Sequence, residues 1–377
     1  MAVSVSSQRF VLEGVPRVHF YQGGPRCPED ICFPSCLRAT LEYLGDNIGC
    51  RHLPTQNPAW ALNCAYAYLL STSGYAFGLA WRPGWDPGSG DIRCLTDDPS
   101  EPFRRALASV GYGGEVLLKA QGWLDEALYR DKIIASLCER GCPVLALGVI
   151  GPPECCLVTG YDEGGDVLIG WNFFQEMTEF TPYPETEPTG EFRQRDWFTQ
   201  TEGLIVIGEK GDLPKRGEAY RDTLRWALDL IRRPTASGGW ATGLAAYDAW
   251  AEHLLREEAF PPDDPATLWA HFGIHNNTVG NIAEARWYGS LFLTQVANDE
   301  PWMAADLLRA AACLATEHDL MWKAWGLVGG IGMDEAKVRK LAEPAVRRDM
   351  VKVIAAARAQ CAEAAEQIAC ALTQADR

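Results

Sequence analysis

Leu37, Leu41 and Leu44 recur at steps of four and three, so residues 33–44 predict a helix with one apolar face. Pro34 suits its first turn and Gly45 ends it. A second helix is expected over 58–72, again opening at a proline, and a third over 101–110 before Gly111. A short strand at 115–119 precedes a helix over 126–140, which Gly141 stops. The pattern then changes. Residues 143–150, 155–161 and 166–171 are short β-type runs, divided by Gly151-Pro152-Pro153 and by Asp162-Glu163-Gly164-Gly165, which predicts two successive hairpins. Residues 204–208 predict a further strand, and the Pro-, Thr- and Glu-rich stretch between Trp171 and Leu204 reads as a surface excursion.

Beyond a linker at 209–217 only helical periodicity remains, with helices expected at 218–232, 240–258, 264–272, 278–296, 301–325 and 343–374. The last is the clearest, because Met350, Ile354, Ala357, Cys361, Ala364, Ile368 and Leu372 alternate steps of three and four. At 377 residues the chain exceeds what one hydrophobic core usually serves. The pattern therefore predicts an α+β domain over 1–210 and an all-α helical domain over 214–377.

Charge narrows the partners. The net charge of −16 divides into −11 over residues 1–210 and −5 over the rest, so neither half offers the positive field that nucleic acid or an anionic membrane needs. The segment Met1–Arg9 lacks the charged start and apolar core of a signal peptide, and no apolar run approaches the ~18–20 residues of a membrane span. Thirteen scattered cysteines, an odd number, fit reduced thiols in a cytosol, so the expected localisation is cytoplasmic.

Cys32 stands immediately before the first helix. A thiol there feels the partial positive charge of the helix start, which favours the nucleophilic thiolate; the plainer reading is a small apolar side chain packed under the sheet. The stretch Cys32-Phe-Pro-Ser-Cys-Leu-Arg-Ala-Thr-Leu-Glu-Tyr-Leu-Gly45 resembles the nucleophile helix of papain-like cysteine peptidases of the double-glycine type, and more closely the N-terminal domain of the butirosin-biosynthesis protein H family. Pro143 to Asn172 matches that family's strand, loop, strand, turn and strand, and the likeness spans residues 17–208. It implies a papain-like antiparallel sheet with Cys32 as nucleophile, a histidine at the position that Glu154 occupies here, and Asn172 as the third member.

The histidine is the departure. Residues 1–210 contain only His19 and His52, and His52 lies beyond the far end of the nucleophile helix. Glu29, Asp30 and Glu154 set an acidic field that opposes thiolate formation, so Cys32 is expected not to be strongly activated. Strand alternation puts Cys156 on the face of Glu154, either lining the cleft or buried as a small residue. A metal reading of Cys27, Cys32 and Cys36 lacks the paired C-x-x-C knuckles of zinc sites, and no metal or cofactor is expected. His271 and His275 stand four apart and on one helix would face the same ligand, but Gly273 between them and Asn276-Asn277 after them point to a break in the helix. Four of six imidazoles lie beyond residue 210, so His275, Arg286 and His318 are candidates to line a cleft between the domains.

The leading expectation is a cysteine-centred amide or thioester hydrolase or acyltransferase acting on a small substrate, with Cys32, Glu154 and Asn172 at its centre. The resemblance implies an acyl carrier protein as a partner. The rival is a non-catalytic pseudoenzyme that kept the cleft, lost its base, and binds a small molecule or peptide. A third class is a homo-oligomeric scaffold assembled through the helical domain.

Overall fold

The computed structural model describes residues 8–19, 29–46, 64–177 and 185–375. In chain order they form β1 (Phe10–Val11), α1 (Cys32–Tyr43), α2 (Cys64–Thr72), β2 (Ala80–Trp81), α3 (Glu101–Ser109), β3 (Tyr112–Leu118) and α4 (Glu126–Arg140). There follow β4 (Val144–Leu147), β5 (Cys155–Asp162), β6 (Val167–Trp171), β7 (Glu185–Thr186), β8 (Phe192–Arg195), α5 (Trp197–Gln200) and β9 (Gly203–Lys210). The remainder is α6 (Arg216–Arg232), β10 (Thr235–Ala236), β11 (Trp240–Thr242), α7 (Leu244–Leu255), α8 (Pro265–Asp299), α9 (Ala304–Val328), α10 (Glu335–Ala342) and α11 (Pro344–Ala375). No described helix is long and apolar enough to cross a membrane.

The chain divides into two compact units, one of residues 1–69 and 103–214 and the other of 70–102 and 215–377. One boundary between the units falls between Pro214 and Lys215. The sequence pattern does not show that residues 70–102 leave the first unit, because membership in a core depends on remote partners and leaves no local mark.

The first unit is α+β. Its sheet runs β3-β9-β4-β5-β6-β8-β7, with β1 also on β5, and every pairing is antiparallel. β8 and β7 extend the sheet from within the stretch read as a surface excursion. Polar strands such as Phe192–Arg195 carry no alternating apolar signal, and their pairing with β6 is what makes them strands. β5 lies at the centre. Val158 to Cys155 pair with Val144 to Leu147 of β4, and Gly160 and Tyr161 pair with Val11 and Phe10 of β1. A Cβ on Gly160 would stand 2.6 Å from the Phe10 carbonyl oxygen, and one on Gly170 of β6 only 1.9 Å from that of Leu157. Glycine is what lets these backbones approach.

α1 packs on β5 and β4, and Phe33 meets Phe103 of α3 edge to face at 4.8 Å. α4 follows its local signals: Asp125 accepts from the Ala127 amide at 2.9 Å as N-cap, and Gly141 ends the helix in the left-handed region at φ 60°.

In the second unit β2, β11 and β10 form a small antiparallel sheet beside the helices α6 to α11. The two helices expected over 264–272 and 278–296 are one helix of 35 residues, α8, continuous through Gly273. The break expected there does not occur, since packing against α9 offsets the modest helix penalty of a single glycine. β11 occupies the start of the helix expected at 240–258, and α10 was not foreseen. α11 keeps its predicted seam, with Met350, Ile354, Ala357, Cys361, Ala364 and Ile368 all buried.

Candidate functional site at the start of the first helix

Cys32 is the first residue of α1. The preceding Ile31 is extended (φ −88°, ψ 112°) and provides no side-chain cap, while its own amide donates to the Tyr66 hydroxyl at 3.1 Å. Pro34, third in the helix, has no amide hydrogen to satisfy, so it fits where the intrahelical ladder has not begun. The first ten residues of α1, Cys32 to Leu41, are all buried, and the Cys32 side chain is only 2% exposed.

One turn along, the Cys36 thiol donates to the Cys155 carbonyl at 3.5 Å, which seats α1 on the first residue of β5. Burial raises the Cys155 thiol well above the ordinary cysteine range, and Cys36, Cys156 and Cys32 push it further the same way. Burial likewise raises Cys156, with Cys36 adding to it and the Val149 and Ala146 backbones opposing. Of the two, Cys155 is the one on which Cys32 acts. Cys156 is wholly buried and lines no open cleft.

Glu154 directly precedes β5, half-buried at the mouth of the β4–β5 loop, and its carbonyl accepts from the Gly148 amide at 3.0 Å. Asn172 follows β6 and is fully buried. Its Nδ2 donates to the Ile150 carbonyl at 3.1 Å, and its Oδ1 accepts from the Phe174 amide at 2.6 Å. The carboxamide therefore ties the loop that carries Glu154 to the turn after β6. Cys36 of α1 thus touches the first residue of β5, Glu154 directly precedes that strand, and Asn172 is bonded to the loop before it.

One of the three acids near the helix start is paired with a cation. Glu29 is buried against Arg38, whose Nε donates to Glu29 Oε2 at 2.9 Å, and the Ser35 hydroxyl donates to the same oxygen at 3.2 Å. Arg38 also binds Glu42 at 2.9 Å. Of the two imidazoles in residues 1–210, His52 lies outside the described residues, and His19 is half-buried near the end of the first described segment. Cys27 also lies outside, and among the described residues no three His, Cys, Asp or Glu are grouped to hold a metal. A surface cavity of about 530 Å³ opens elsewhere on this unit over Gly113, Gly114 and Gly208, but contains none of the candidate residues. Of its charged wall residues Glu115, Lys132, Arg140 and Glu209, Lys132 is paired with Glu115 at 2.7 Å and Arg140 donates to the Ile207 carbonyl.

The candidates from the helical unit are committed within it. Arg286 is 0% exposed; its Nε donates to Glu317 at 3.0 Å, its Nη2 to the Tyr247 hydroxyl at 2.9 Å, and its Nη1 to the Ala76 carbonyl at 2.8 Å. His275 is buried and accepts from Trp250 Nε1 at 3.2 Å, and desolvation pulls its pKa down to about 3. His318 donates from Nδ1 to the Ala283 carbonyl at 2.7 Å and accepts at Nε2 from Trp322 at 3.0 Å. Arg286 and His275 are interior groups of this unit rather than walls of an open cleft.

Sequence reasoning weighed Cys36 only as a metal ligand, preferred Cys156 to Cys155 by strand alternation, and missed the Glu29–Arg38 pair. A signal existed for Cys36, since positions 32 and 36 share one helix face. Alternation assigns Cys155 and Cys156 to opposite faces of β5 but does not say which of them α1 meets. No protein-family model matches this chain, and no curated protein does.

Proposed function

We propose that the first unit is papain-like and that its chemistry, amide or thioester cleavage or acyl transfer on a small substrate, centres on Cys32. The observation that carries this reading is a thiol placed as the first residue of a helix without a side-chain cap, seated on the strand that Glu154 precedes. The partial positive charge of the helix start stabilises a thiolate there. The sulfur attacks the acyl carbonyl, a carbon–sulfur bond forms, and the leaving thiol or amine departs with the proton that the cysteine gave up. An amine or water then takes the acyl group and the thiol is restored. Glu154 stands in the place of the family's imidazole, and Asn172 holds its loop. A carrier-bound thioester is one donor of the required chemistry.

The test is acylation by a small thioester, S-acetyl-N-acetylcysteamine, read by intact mass and peptide mapping. One acetyl group on Cys32, absent in Cys32→Ser and retained in Cys36→Ser, is the expected result. A second reading, a binding protein without chemistry, is favoured by the burial of Cys32 at 2% exposure. Absence of any Cys32 adduct in the folded wild type decides for it.

A further inference from the structure

We propose that Arg38 is a positioning residue for Cys32, holding the Glu29 carboxylate on the flank of α1 so that its charge does not suppress the thiolate at the helix start. This rests on the reading of Cys32 as the reactive group. Ser35, Arg38 and Glu42 follow one another at steps of three and four, so they line one face of α1, and Cys32 and Cys36 line another. Glu29 lies three residues before Cys32, yet its carboxylate is drawn along the helix by Ser35 and Arg38. Both members of the pair are nearly buried, with side chains 7% exposed for Glu29 and 8% for Arg38. A charge there is poorly screened and is felt over several ångströms.

Arg38 is arranged for that task. Nε serves Glu29 and Nη1 serves Glu42, while Nη2 is buried and without a hydrogen-bond partner. The guanidinium carries a full positive charge, and its Nε places that charge against the Glu29 carboxylate at 2.9 Å. Among the described residues, the titratable groups on the elements packed here include Asp30 on the lead-in to α1, Glu154 before β5, the thiols of Cys36, Cys155 and Cys156, and the Tyr66 hydroxyl of α2, which accepts from the Ile31 amide. Asp30 and Glu154 are carboxylates of this set, and Arg38 is a cation paired with Glu29 on the flank of α1.

The test is the apparent pKa of Cys32 in the full chain, from the pH dependence of iodoacetamide labelling followed on the Cys32 peptide. Arg38→Gln is expected to raise it by about one unit, a shift typical of one nearby uncompensated charge. Glu29→Gln is expected to lower it, and the double variant to return it close to wild type. A purely structural role loosens α1 in both single variants and moves labelling in one direction at every pH. Should Arg38→Gln not fold, Glu29→Gln decides alone, since glutamine keeps an acceptor for Arg38 Nε. An unchanged or raised pKa in folded Glu29→Gln overturns the proposal, as does a Cys32 that stays unlabelled at every pH. Labelling and acylation are read separately. Opposite pKa shifts without acylation sink the proposed chemistry alone; acylation without those shifts sinks the role of Arg38 alone.

Discussion

Every imidazole of the helical unit meets an indole. Trp81, Trp250 and Trp322 donate their ring N–H to His253, His275 and His318 at 2.8, 3.2 and 3.0 Å, and Trp85 stacks on His271 at 4.7 Å. An indole nitrogen only donates, so each bonded imidazole nitrogen must be unprotonated. Desolvation lowers His275 to about 3, and it also lowers His253 and His271. The unfolded chain binds these protons near pH 6.5, whereas the folded chain does not. Stability is therefore present above about pH 6.5 and lost as pH falls toward the folded value, at up to about 1.4 kcal/mol per pH unit for each proton. Urea midpoints between pH 7 and pH 4 are expected to fall in the wild type and to fall less steeply in His275→Leu. An unchanged slope in the variant rejects this account of His275. The sequence showed six histidines and their chain positions. It did not show that Trp250 approaches His275, and that approach makes the ring a buried acceptor rather than a proton carrier.

At the scale of elements, two glycines make opposite tests. Gly273 sits inside α8, and a Cβ there would meet Met333 Cε at 3.7 Å, an ordinary contact. Gly273→Ala is expected to stabilise the protein by about 0.5–1 kcal/mol, because alanine restricts the unfolded chain and suits a helix. A thermal melt that falls in this variant would contradict a continuous α8. Gly170→Ala drives a methyl group onto the Leu157 carbonyl of β5 and is expected to cost about 1–3 kcal/mol. The same measurement checks it, and an unaltered melting temperature would show that the β5–β6 register relaxes freely. Helices with caps and apolar stripes, such as α4 and α11, were legible in advance; β7 and β8 were not, because their residues are polar and only β6 makes them strands.

At the scale of the molecule, Arg286 explains why residues 70–102 belong to the helical unit. Its guanidinium donates to the carbonyls of Tyr75, Ala76 and Gly78, while Glu317 and Tyr247 neutralise and orient it. Burial raises the Glu317 pKa, with Arg286 and Tyr247 opposing that rise. Arg286→Met leaves a buried carboxyl without its partner and frees three carbonyls, and is expected to cost about 3–5 kcal/mol in urea unfolding. A loss below about 1 kcal/mol would mean that the pair contributes little beyond what apolar packing replaces. β2 also supplies a neighbour to β11, and its Trp81 stacks on Trp250 at 5.7 Å. A fragment of residues 215–377 is therefore expected to lose the cooperative melt seen by near-ultraviolet circular dichroism, and fusion of residues 70–102 to restore it. A fragment that melts cooperatively without them would show that the insertion is only an appendage.

The sequence by itself determined α1 with Cys32 at its start, the β4–β5–β6 meander and the helical second half, because periodicity and turn chemistry act between residues a few positions apart. Tertiary structure alone decided that Glu29 is held by Arg38, that 70–102 joins the helices, that α8 runs unbroken and that Arg286 and His275 face a core. Each of these depends on burial and on partners brought together by folding, and neither burial nor a remote partner is written in local spacing.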